Sequence, residues 1–210
     1  MQQSAKFWDK AAEKYAKSPI QDVEAYDYTL KRTRSYLSST DKVLELGCGT
    51  GSTALLLAAD VDQIVASDVS PNMIEIASRK AQLDQVPNVR FITADIFDKK
   101  IGEGPYDVVL AFNLLHLIED TADAIQRIHG LLKPDGTFIS KTVCKPGKEA
   151  PLKYRFFPLL IPMMQLLGKA PFVRFMEIGD FEDLIETQGF KILESGNHPA
   201  PSRYIIARKV

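Results

Sequence analysis

From residue 42 onward, apolar strand-like runs alternate with helical patterns along the chain. Five runs are short and rich in β-branched or aromatic residues: KVLEL (42–46), QIVASD (63–68), VRFITAD (89–95), YDVVLAFN (106–113) and TFISKTV (137–143). Helical stretches at 51–59, 71–83 and 120–132 separate them. This alternation is typical of stacked βαβ units around a parallel sheet. The sequence therefore predicts an α/β fold.

The two ends of the chain extend this core. Residues 4–38 read as two helices separated by AKSPI, and we expect them to form a cap beside the first strand. Near the other end, a helix at 181–189 precedes the runs FKILES and SRYIIARK, which predict a closing antiparallel hairpin. The 210 residues fit one domain. We divide it into a cap, a cofactor-binding core, an insertion on the acceptor side and a closing segment: 1–40, 41–145, 146–180 and 181–210.

Composition excludes several function classes. Lys and Arg number 26 against 27 Asp and Glu, so no net basic field favours a nucleic-acid partner. The two cysteines, Cys48 and Cys144, are far apart and form no CxxC pair, which argues against structural zinc, and we expect no metal. The start, MQQSAKFWDK, has no apolar targeting region. A cytoplasmic protein is the expectation.

A glycine turn follows the first strand in VLELGCGTGST (43–53). Glycines between a strand and a helix let backbone N–H groups and the helix dipole approach a ligand closely. The three alternate glycines give GxGxG with Glu45 two residues ahead, whereas dinucleotide-binding proteins usually show GxGxxG. The turn therefore predicts a cofactor other than a dinucleotide. The alternative is that these glycines serve only tight packing.

Two aspartates follow the next two strands. Asp68 ends the second strand, where a carboxylate accepts hydrogen bonds from both hydroxyls of a ribose. Asp95 ends the third and lies at the same edge of the sheet, within reach of an adenine amino group. The ligand is thus expected to contain a nucleoside. The alternative for Asp68 is a helix N-cap, because SDVSP precedes a helix.

These motifs resemble the class I S-adenosylmethionine-dependent methyltransferases. The resemblance rests on Glu45, the three glycines, Asp68, Asp95 and the later LLKPDG (131–136), and it is clearest over residues 41–140. It implies a Rossmann-like sheet of seven mostly parallel strands in the order 3-2-1-4-5-7-6. Strand 7 would be antiparallel, and helices would cover both faces.

The resemblance also implies roles for individual residues. The turn formed by Gly47, Cys48, Gly49, Thr50 and Gly51 would hold the methionine part of S-adenosylmethionine. Asp68 would bind the ribose, and Asp95 with the Ile96 backbone would bind the adenine edge. The cofactor set is completed by residues that would flank the adenine or lie beside the cofactor: Val69, Met73 and Asn113. For Met73, plain core packing is the alternative.

The acceptor side has fewer signals. The resemblance places His116 at the edge of the substrate cleft, and an unperturbed pKa near 6.5 would suit proton removal from an acceptor. The stretch FWDKAAEKYAKSP resembles the front of small-molecule and quinone methyltransferases, where an early tyrosine closes over the cofactor. Tyr15 is that candidate here, and Lys17 and Ser18 are candidates for the cofactor carboxylate. The alternatives are a structural histidine and ordinary helix-face packing.

The predicted function is methyl transfer from S-adenosylmethionine to a small or lipid-like acceptor, with S-adenosylhomocysteine as product. There is no (N/D)PP(Y/F/W) motif after the fourth strand and no basic stripe, which disfavours nucleic-acid and protein acceptors. Two alternatives stay open: an NAD-type oxidoreductase, and a cofactor-binding module without turnover. The acceptor and the oligomeric state stay open as well.

Residues 150–178 form an unusually apolar insertion. Its unbroken apolar stretch, 156–164, is far shorter than the roughly 20 residues of a membrane span and contains two prolines. The segment either packs on the sheet and cap, or lines an apolar acceptor pocket or dips into a membrane surface. The apolar candidates are Phe156, Phe157, Leu160, Met163, Met164 and Leu167. The basic candidates for anionic head groups are Lys153, Arg155, Lys169 and Arg174.

Overall fold

A computed structural model describes residues 2–102, 104–146, 161, 163–166, 168 and 170–210. Seven strands form one sheet in the order β3-β2-β1-β4-β5-β7-β6. Their bounds are β1 Lys42–Leu46, β2 Gln63–Asp68, β3 Val89–Thr93, β4 Tyr106–Phe112, β5 Leu132–Val143, β6 Phe190–Asn197 and β7 Ser202–Lys209. The predicted strand order is confirmed.

The first five strands pair in parallel, and β7 is antiparallel to both β5 and β6. The central strands β1 and β2 are buried along nearly their whole length, as expected where helices cover both faces of a parallel sheet. The edge strand β6 alternates between more and less buried residues. β5 begins at Leu132, earlier than predicted, because KPDG continues it through a bulge opposite β4.

The α-helices described over their full length are α1 Gln2–Ala16, α2 Val23–Arg34, α3 Ser52–Leu57, α4 Pro71–Leu83, α5 Thr121–Leu131 and α6 Ile178–Thr187, and residues 163–166 are helical as well. Local chemistry explains the start of α4, where the Ser70 side chain accepts from the Met73 N–H and Pro71 occupies the first helical position. Asp120 caps α5 in the same way by accepting from the Asp123 N–H. No described helix has the length and apolarity that crossing a membrane requires.

Each face of the sheet has its own apolar core. On one face, Phe138 packs with α5 and α6 side chains such as Ile125 and Phe181. On the other face, Ile139 packs with side chains from α2, α3 and α4, among them Leu57. Side chains of successive strand residues point to opposite faces, so neighbours in β5 serve different cores. The two cores hold the carboxyl ends of β1 to β4 along one edge.

The two N-terminal helices pack in different places. α1 lies against α4, and the Asp9 carboxylate accepts hydrogen bonds from the Ser70 hydroxyl at 2.7 Å and the Asn72 N–H at 3.0 Å. α2 packs elsewhere on the sheet face that α4 covers, against β7, where the Thr33 and Tyr204 hydroxyls are 2.9 Å apart. Of the two helices predicted to form a cap, only α1 therefore lies at the site, whereas α2 packs against the sheet.

Candidate cofactor and acceptor cleft

A cleft of about 810 Å³ lies at the carboxyl edge of β1 to β4, beneath α1. Its volume is in the range of small-molecule sites. Residues predicted from the sequence make up much of its wall: Tyr15, Gly47, Gly49, Asp68, Val69, Met73, Asp95, Ile96, Asn113 and His116. The structure therefore brings together side chains from five separate segments of the chain.

In and before the glycine turn, four predicted residues do not line this cleft: Glu45, Cys48, Thr50 and Gly51. Cys48 is buried in the core beside α3, and burial raises the pKa of its thiol. Thr50 lies behind the turn, where its hydroxyl and carbonyl bond the Lys80 ammonium at 3.1 Å. These two residues support the turn from the protein side.

A glycine stands at each of the three positions for a different physical reason. All have positive φ, a conformation that is costly for other residues. A Cβ at Gly51 would lie 2.7 Å from Phe91 Cζ and 2.8 Å from Ala77 Cβ, and one at Gly47 would lie 2.8 Å from Leu114 Cδ1. At Gly49 the nearest atom would be Tyr15 Cε1 at 3.6 Å. Gly49 alone would accept a Cβ without a clash, so the packing alternative holds for Gly51.

The amides of this turn are largely engaged within the protein. The Cys48 N–H donates to the Ser67 carbonyl at 2.9 Å, and the Gly51 N–H donates to the Cys48 carbonyl at 3.0 Å. The Gly49 N–H donates to Asp68 Oδ2 at 3.0 Å. The helix that follows, α3, has only six residues. A ligand here gains from close backbone approach more than from free amides or a helix dipole, which corrects the expectation from the sequence.

Asp68 is held in place by the backbone. Its Oδ2 accepts from Gly49, and its Oδ1 accepts from the Ser70 N–H at 2.9 Å. The N-cap of α4 is Ser70, so the N-cap alternative for Asp68 is wrong. Burial raises the pKa of Asp68, while the two backbone hydrogen bonds lower it. Each carboxylate oxygen has a second lone pair that remains available to a ligand hydroxyl.

Asp95 and Asn113 complete the edge. Asp95 Oδ1 accepts from the Phe97 N–H at 2.7 Å, which fixes the carboxylate two residues beyond β3. Asn113 follows β4 with φ of 54°, a left-handed conformation that asparagine tolerates, and its N–H donates to the Lys141 carbonyl at 2.7 Å. Both residues are thereby oriented by the backbone, independently of any ligand.

Tyr15 lies over the turn from α1. The residue is 49% exposed, yet the pKa of its phenol is raised, first by burial of the hydroxyl and then by the Asp68 and Glu45 carboxylates. The phenol is therefore close enough to Asp68 and Glu45 for their charges to affect its pKa. Lys17, in contrast, pairs with Glu13 at 3.5 Å on the surface, and the Ser18 hydroxyl donates to the Lys14 carbonyl. Neither lines the cleft.

Sequence reasoning missed several members of the wall. Trp8 and Phe97 add aromatic surface, and Glu119 and Asp120 add carboxylates. Only Glu119 and Asp120 had a signal, because they follow His116 on the loop after β4. Trp8 and Phe97 look like ordinary apolar residues in the sequence, and only tertiary packing brings them here.

His116 lies in a short 3₁₀ turn, Leu115–Leu117, and is only 8% exposed. Burial lowers the pKa of its imidazole to about 4, so the side chain is neutral at physiological pH. The pKa near 6.5 assumed from the sequence is therefore wrong for this position. Nδ1 is buried without a hydrogen-bond partner among the described groups. His116 is thus a weak base that retains unused hydrogen-bonding capacity.

Glu45 lies behind the turn and is 3% exposed. Burial raises the pKa of its carboxyl to about 8, the Ala54 N–H lowers it and the Asp68 charge raises it further. Oε2 has no partner among the described groups. At neutral pH this carboxyl is mostly protonated.

Glu45 and His116 make opposite contributions to the pH dependence of stability. Between about pH 4.5 and 8, the unfolded Glu45 is ionised while the folded one keeps its proton, so stability falls by about 1.4 kcal/mol per pH unit. His116 works in the other direction, since between about pH 4 and 6.5 only the unfolded imidazole is protonated. Between pH 6.5 and 8, Glu45 is the one of these two residues that still makes the free energy of unfolding depend on pH.

We expect Glu45→Gln to flatten the loss of stability between pH 6.5 and 8. The measurement is the free energy of unfolding in urea at both pH values. The matched control is Glu186→Gln, which removes an exposed carboxylate from α6. A loss that is equally steep in Glu45→Gln and the native chain would show that Glu45 does not titrate in this range.

A second expectation concerns α1 as a cap. With S-adenosylhomocysteine bound, amide exchange should slow around residues 10–25, because Tyr15 would be held between the ligand and the turn. Protection at the glycine turn without change at 10–25 would make α1 a rigid scaffold. Asp9→Ala is the companion variant, since it releases α1 from α4 and should speed exchange there even without ligand.

The fold and the cleft agree with the predicted methyltransferase class, and comparison with known proteins identifies the family of the central segment. Residues 43–136 match the family profile described as “Methyltransferase domain”. The chain is 33% identical over 108 residues to an uncharacterized methyltransferase, Rv0089, of Mycobacterium tuberculosis, covering 51% of this chain and 53% of that protein. It is 27% identical over 138 residues to the 2-phytyl-1,4-naphtoquinone methyltransferase of Nostoc sp., covering 61% and 59% respectively.

A solved structure agrees at the level of the fold. The SAM-dependent methyltransferase of Methanosarcina mazei superposes with a TM-score of 0.71 at 17% identity, covering 85% of this chain and 97% of that one. The profile match confirms the predicted methyltransferase family for residues 43–136. The chain spans slightly more than half the length of the curated relatives it matches.

Proposed function

We propose that the chain transfers a methyl group from S-adenosylmethionine to a small acceptor with an apolar body. The observation that carries this is the chemistry of the cleft wall. Its described charged side chains are carboxylates, Asp68, Asp95, Glu119 and Asp120, and no lysine or arginine is among the described lining residues. Such a wall suits a ligand with a positive sulfonium and ammonium.

The residues present fit this cofactor. Gly47 and Gly49 line the cleft where the methionine part would lie, and the free lone pairs of Asp68 suit the two ribose hydroxyls. Asp95 and the Ile96 backbone would hold the adenine edge, with Val69 and Met73 beside the ring. Met73 is almost fully buried, so it serves the core as well as the cleft. Glu45 does not line the cleft, so any effect of Glu45 on the cofactor would come from behind the glycine turn.

The same wall disfavours the oxidoreductase alternative. A dinucleotide brings a pyrophosphate with two negative charges, which proteins neutralise with free amides or cations at a glycine turn. Here the Cys48, Gly49 and Gly51 amides are engaged, and the nearest turn cation, Lys80, bonds Thr50 and Ser52. A pyrophosphate at this place would face carboxylates without compensation.

The bound cofactor would supply an electrophilic methyl group on sulfur. The protein's part is to hold the acceptor in line with that methyl and to exclude water, and no catalytic side chain is strictly needed. Tyr15 and Trp8 would cover the reacting centre from α1. Neutral His116 would accept a hydrogen bond from the acceptor rather than act as a strong base.

The acceptor half of the cleft is apolar. Its wall includes Leu117, Ile118, Val143, Ile161, Met164 and Val173. This surface supports an apolar acceptor of quinone-like or lipid-like character, and the naphthoquinone methyltransferase among the relatives supports the same class. A peripheral membrane contact through 150–178 remains part of the proposal, since Met163 is 57% exposed and Leu166 is 88% exposed. A cytoplasmic location stays a prediction.

Methyl transfer can be tested without knowing the acceptor. The native chain is incubated with methyl-labelled S-adenosylmethionine and separate aqueous and organic-solvent extracts, and we expect label in an apolar product. Asp68→Ala is the control that should lose the signal. Label found only in polar products would contradict the apolar acceptor. Tight cofactor binding with no labelled product in any extract would favour a binding module without turnover.

A further inference from the structure

We propose that the acceptor half of the cleft selects apolar molecules that carry a hydrogen-bond-donating amino or hydroxyl group, and that it rejects molecules carrying an acid group. This proposal rests on the proposed function, because it treats the half beyond the cofactor residues as the acceptor site. It concerns charge selection, which neither the domain family nor its fold determines.

Two carboxylates stand at the mouth of this half. Asp120 caps α5 through one oxygen, which accepts from the Asp123 N–H at 3.2 Å. The Glu119 carboxylate makes no hydrogen bond or ion pair with any group in the described part of the chain. Both line the cleft, and a carboxylate only accepts hydrogen bonds. A ligand that donates is matched here, and an anion is repelled.

A second observation points to a ligand with a donor. His116 is more than nine-tenths buried, lines the same cleft, and has no side-chain hydrogen bond to a described group. A buried imidazole nitrogen without a partner is costly, and here it lies in a wall that includes the apolar Leu117 and Ile118. In its neutral form one ring nitrogen accepts a hydrogen bond. An amino or hydroxyl group at the end of an apolar molecule supplies that partner.

Lys6 and Lys10 line a neighbouring pocket that also includes Glu119, but not this cleft, and two other nearby cations are engaged elsewhere. The Arg174 guanidinium donates to the Glu119 carbonyl at 3.0 Å, and its backbone N–H donates to the His116 carbonyl at 2.7 Å. Lys145 pairs with Glu177 at 2.7 Å. Neither Arg174 nor Lys145 lines the cleft. The described lining of the cleft itself therefore offers no lysine or arginine to the acid group of a ligand.

The chain contains its own reporter for this test. Trp8 is the only tryptophan in the sequence, and it lines the cleft. Its fluorescence is followed while three matched probes are added: 3-phenylpropylamine, 3-phenylpropan-1-ol and 3-phenylpropanoate. S-adenosylhomocysteine is present at saturation in one series and absent in another. We expect the amine and the alcohol to bind at least tenfold more tightly than the acid.

Two charge-removing variants sharpen the test. Glu119→Gln and Asp120→Asn should each reduce the difference in affinity between the amine and the acid. Asparagine at position 120 can still serve as the N-cap of α5. Glu186→Gln, on the surface of α6, should leave the gap unchanged. An unchanged gap in both cleft variants would assign the selection to another cause and overturn the proposal.

The results separate this proposal from the proposed function. Binding of the acid as tightly as the amine, or binding of no probe at millimolar concentration, would overturn the charge selection even if methyl transfer is found. Conversely, selection for amine and alcohol without any binding of S-adenosylhomocysteine would support the selective cleft and contradict the methyltransferase. An alcohol that binds more tightly than the amine would identify hydroxyl compounds as the acceptors.

Discussion

Asp68→Ala is expected to lower the affinity for S-adenosylmethionine at least tenfold. The change removes two hydrogen bonds to the ribose, and charge-assisted bonds contribute roughly 1.5–3 kcal/mol each. It also frees the Gly49 and Ser70 amides that the carboxylate now holds. Both effects are expected to weaken cofactor binding. Calorimetric titration of the variant and the native chain gives the two dissociation constants.

A control is needed because Asp68 also shapes the turn. Asp84→Ala removes an exposed carboxylate at the other end of α4 and should bind as the native chain does. Thermal unfolding of both variants shows whether the fold is kept. If folded Asp68→Ala binds the cofactor as tightly as the native chain, Asp68 does not contact the ribose.

Gly51→Ala is expected to destabilise the protein by about 2–5 kcal/mol. A left-handed conformation costs a residue with a Cβ roughly 1–2 kcal/mol, and overpacking a core adds about 1–3 kcal/mol. Overpacking applies here because the new Cβ would meet Phe91 and Ala77 closer than van der Waals contact. Since whole domains are stable by only about 5–15 kcal/mol, the loss is large. Unfolding in urea measures it.

Gly49→Ala is the matched comparison. It carries the same backbone strain, but its Cβ would meet only Tyr15 at 3.6 Å. We therefore expect a smaller loss of stability together with weaker binding of S-adenosylhomocysteine, because the methyl group enters the space in front of the turn. Equal losses of stability in the two variants would contradict the division of the glycines into one packing position and one ligand-facing position.

Local chemistry explains why much of the fold was predictable. β2 matches its predicted bounds because QIVASD is buried almost throughout, and α4 matches because Ser70 and Pro71 define where a helix begins. The carboxyl ends of parallel strands meet at one edge, so Asp68 and Asp95 were expected together before any coordinates. The strand order came from the resemblance to the family rather than from these patterns.

The details of the site depend on tertiary contacts that a single sequence does not show. The neighbours of Gly51 come from α4 and β3, and the burial that lowers the pKa of His116 comes from packing around its 3₁₀ turn. Asp9 reads as a surface residue of a helix, yet it holds α1 on α4. Likewise, nothing in the sequence shows that Trp8 lines the cleft.

The insertion at 150–178 is described only in part. Met164 lines the cleft and Met163 is exposed, while Arg174 bonds the loop after β4 and does not reach the cleft wall. The remaining candidates lie outside the described residues: Phe156, Phe157, Leu160, Leu167, Lys153, Arg155 and Lys169. A variant with both Phe156 and Met163 changed to serine tests whether the segment forms an acceptor lid. If this variant stays folded and transfers methyl groups as well as the native chain, the segment only packs on the core.

The central claim is that the carboxylate-lined cleft binds S-adenosylmethionine. Calorimetry of the native chain with S-adenosylmethionine, S-adenosylhomocysteine and NAD, run side by side, tests it most directly. We expect both sulfur compounds to bind at one site per chain and NAD to give no binding heat, since the described wall holds Asp68, Asp95, Glu119 and Asp120 but no cation. Binding of NAD without binding of either sulfur compound would contradict the account.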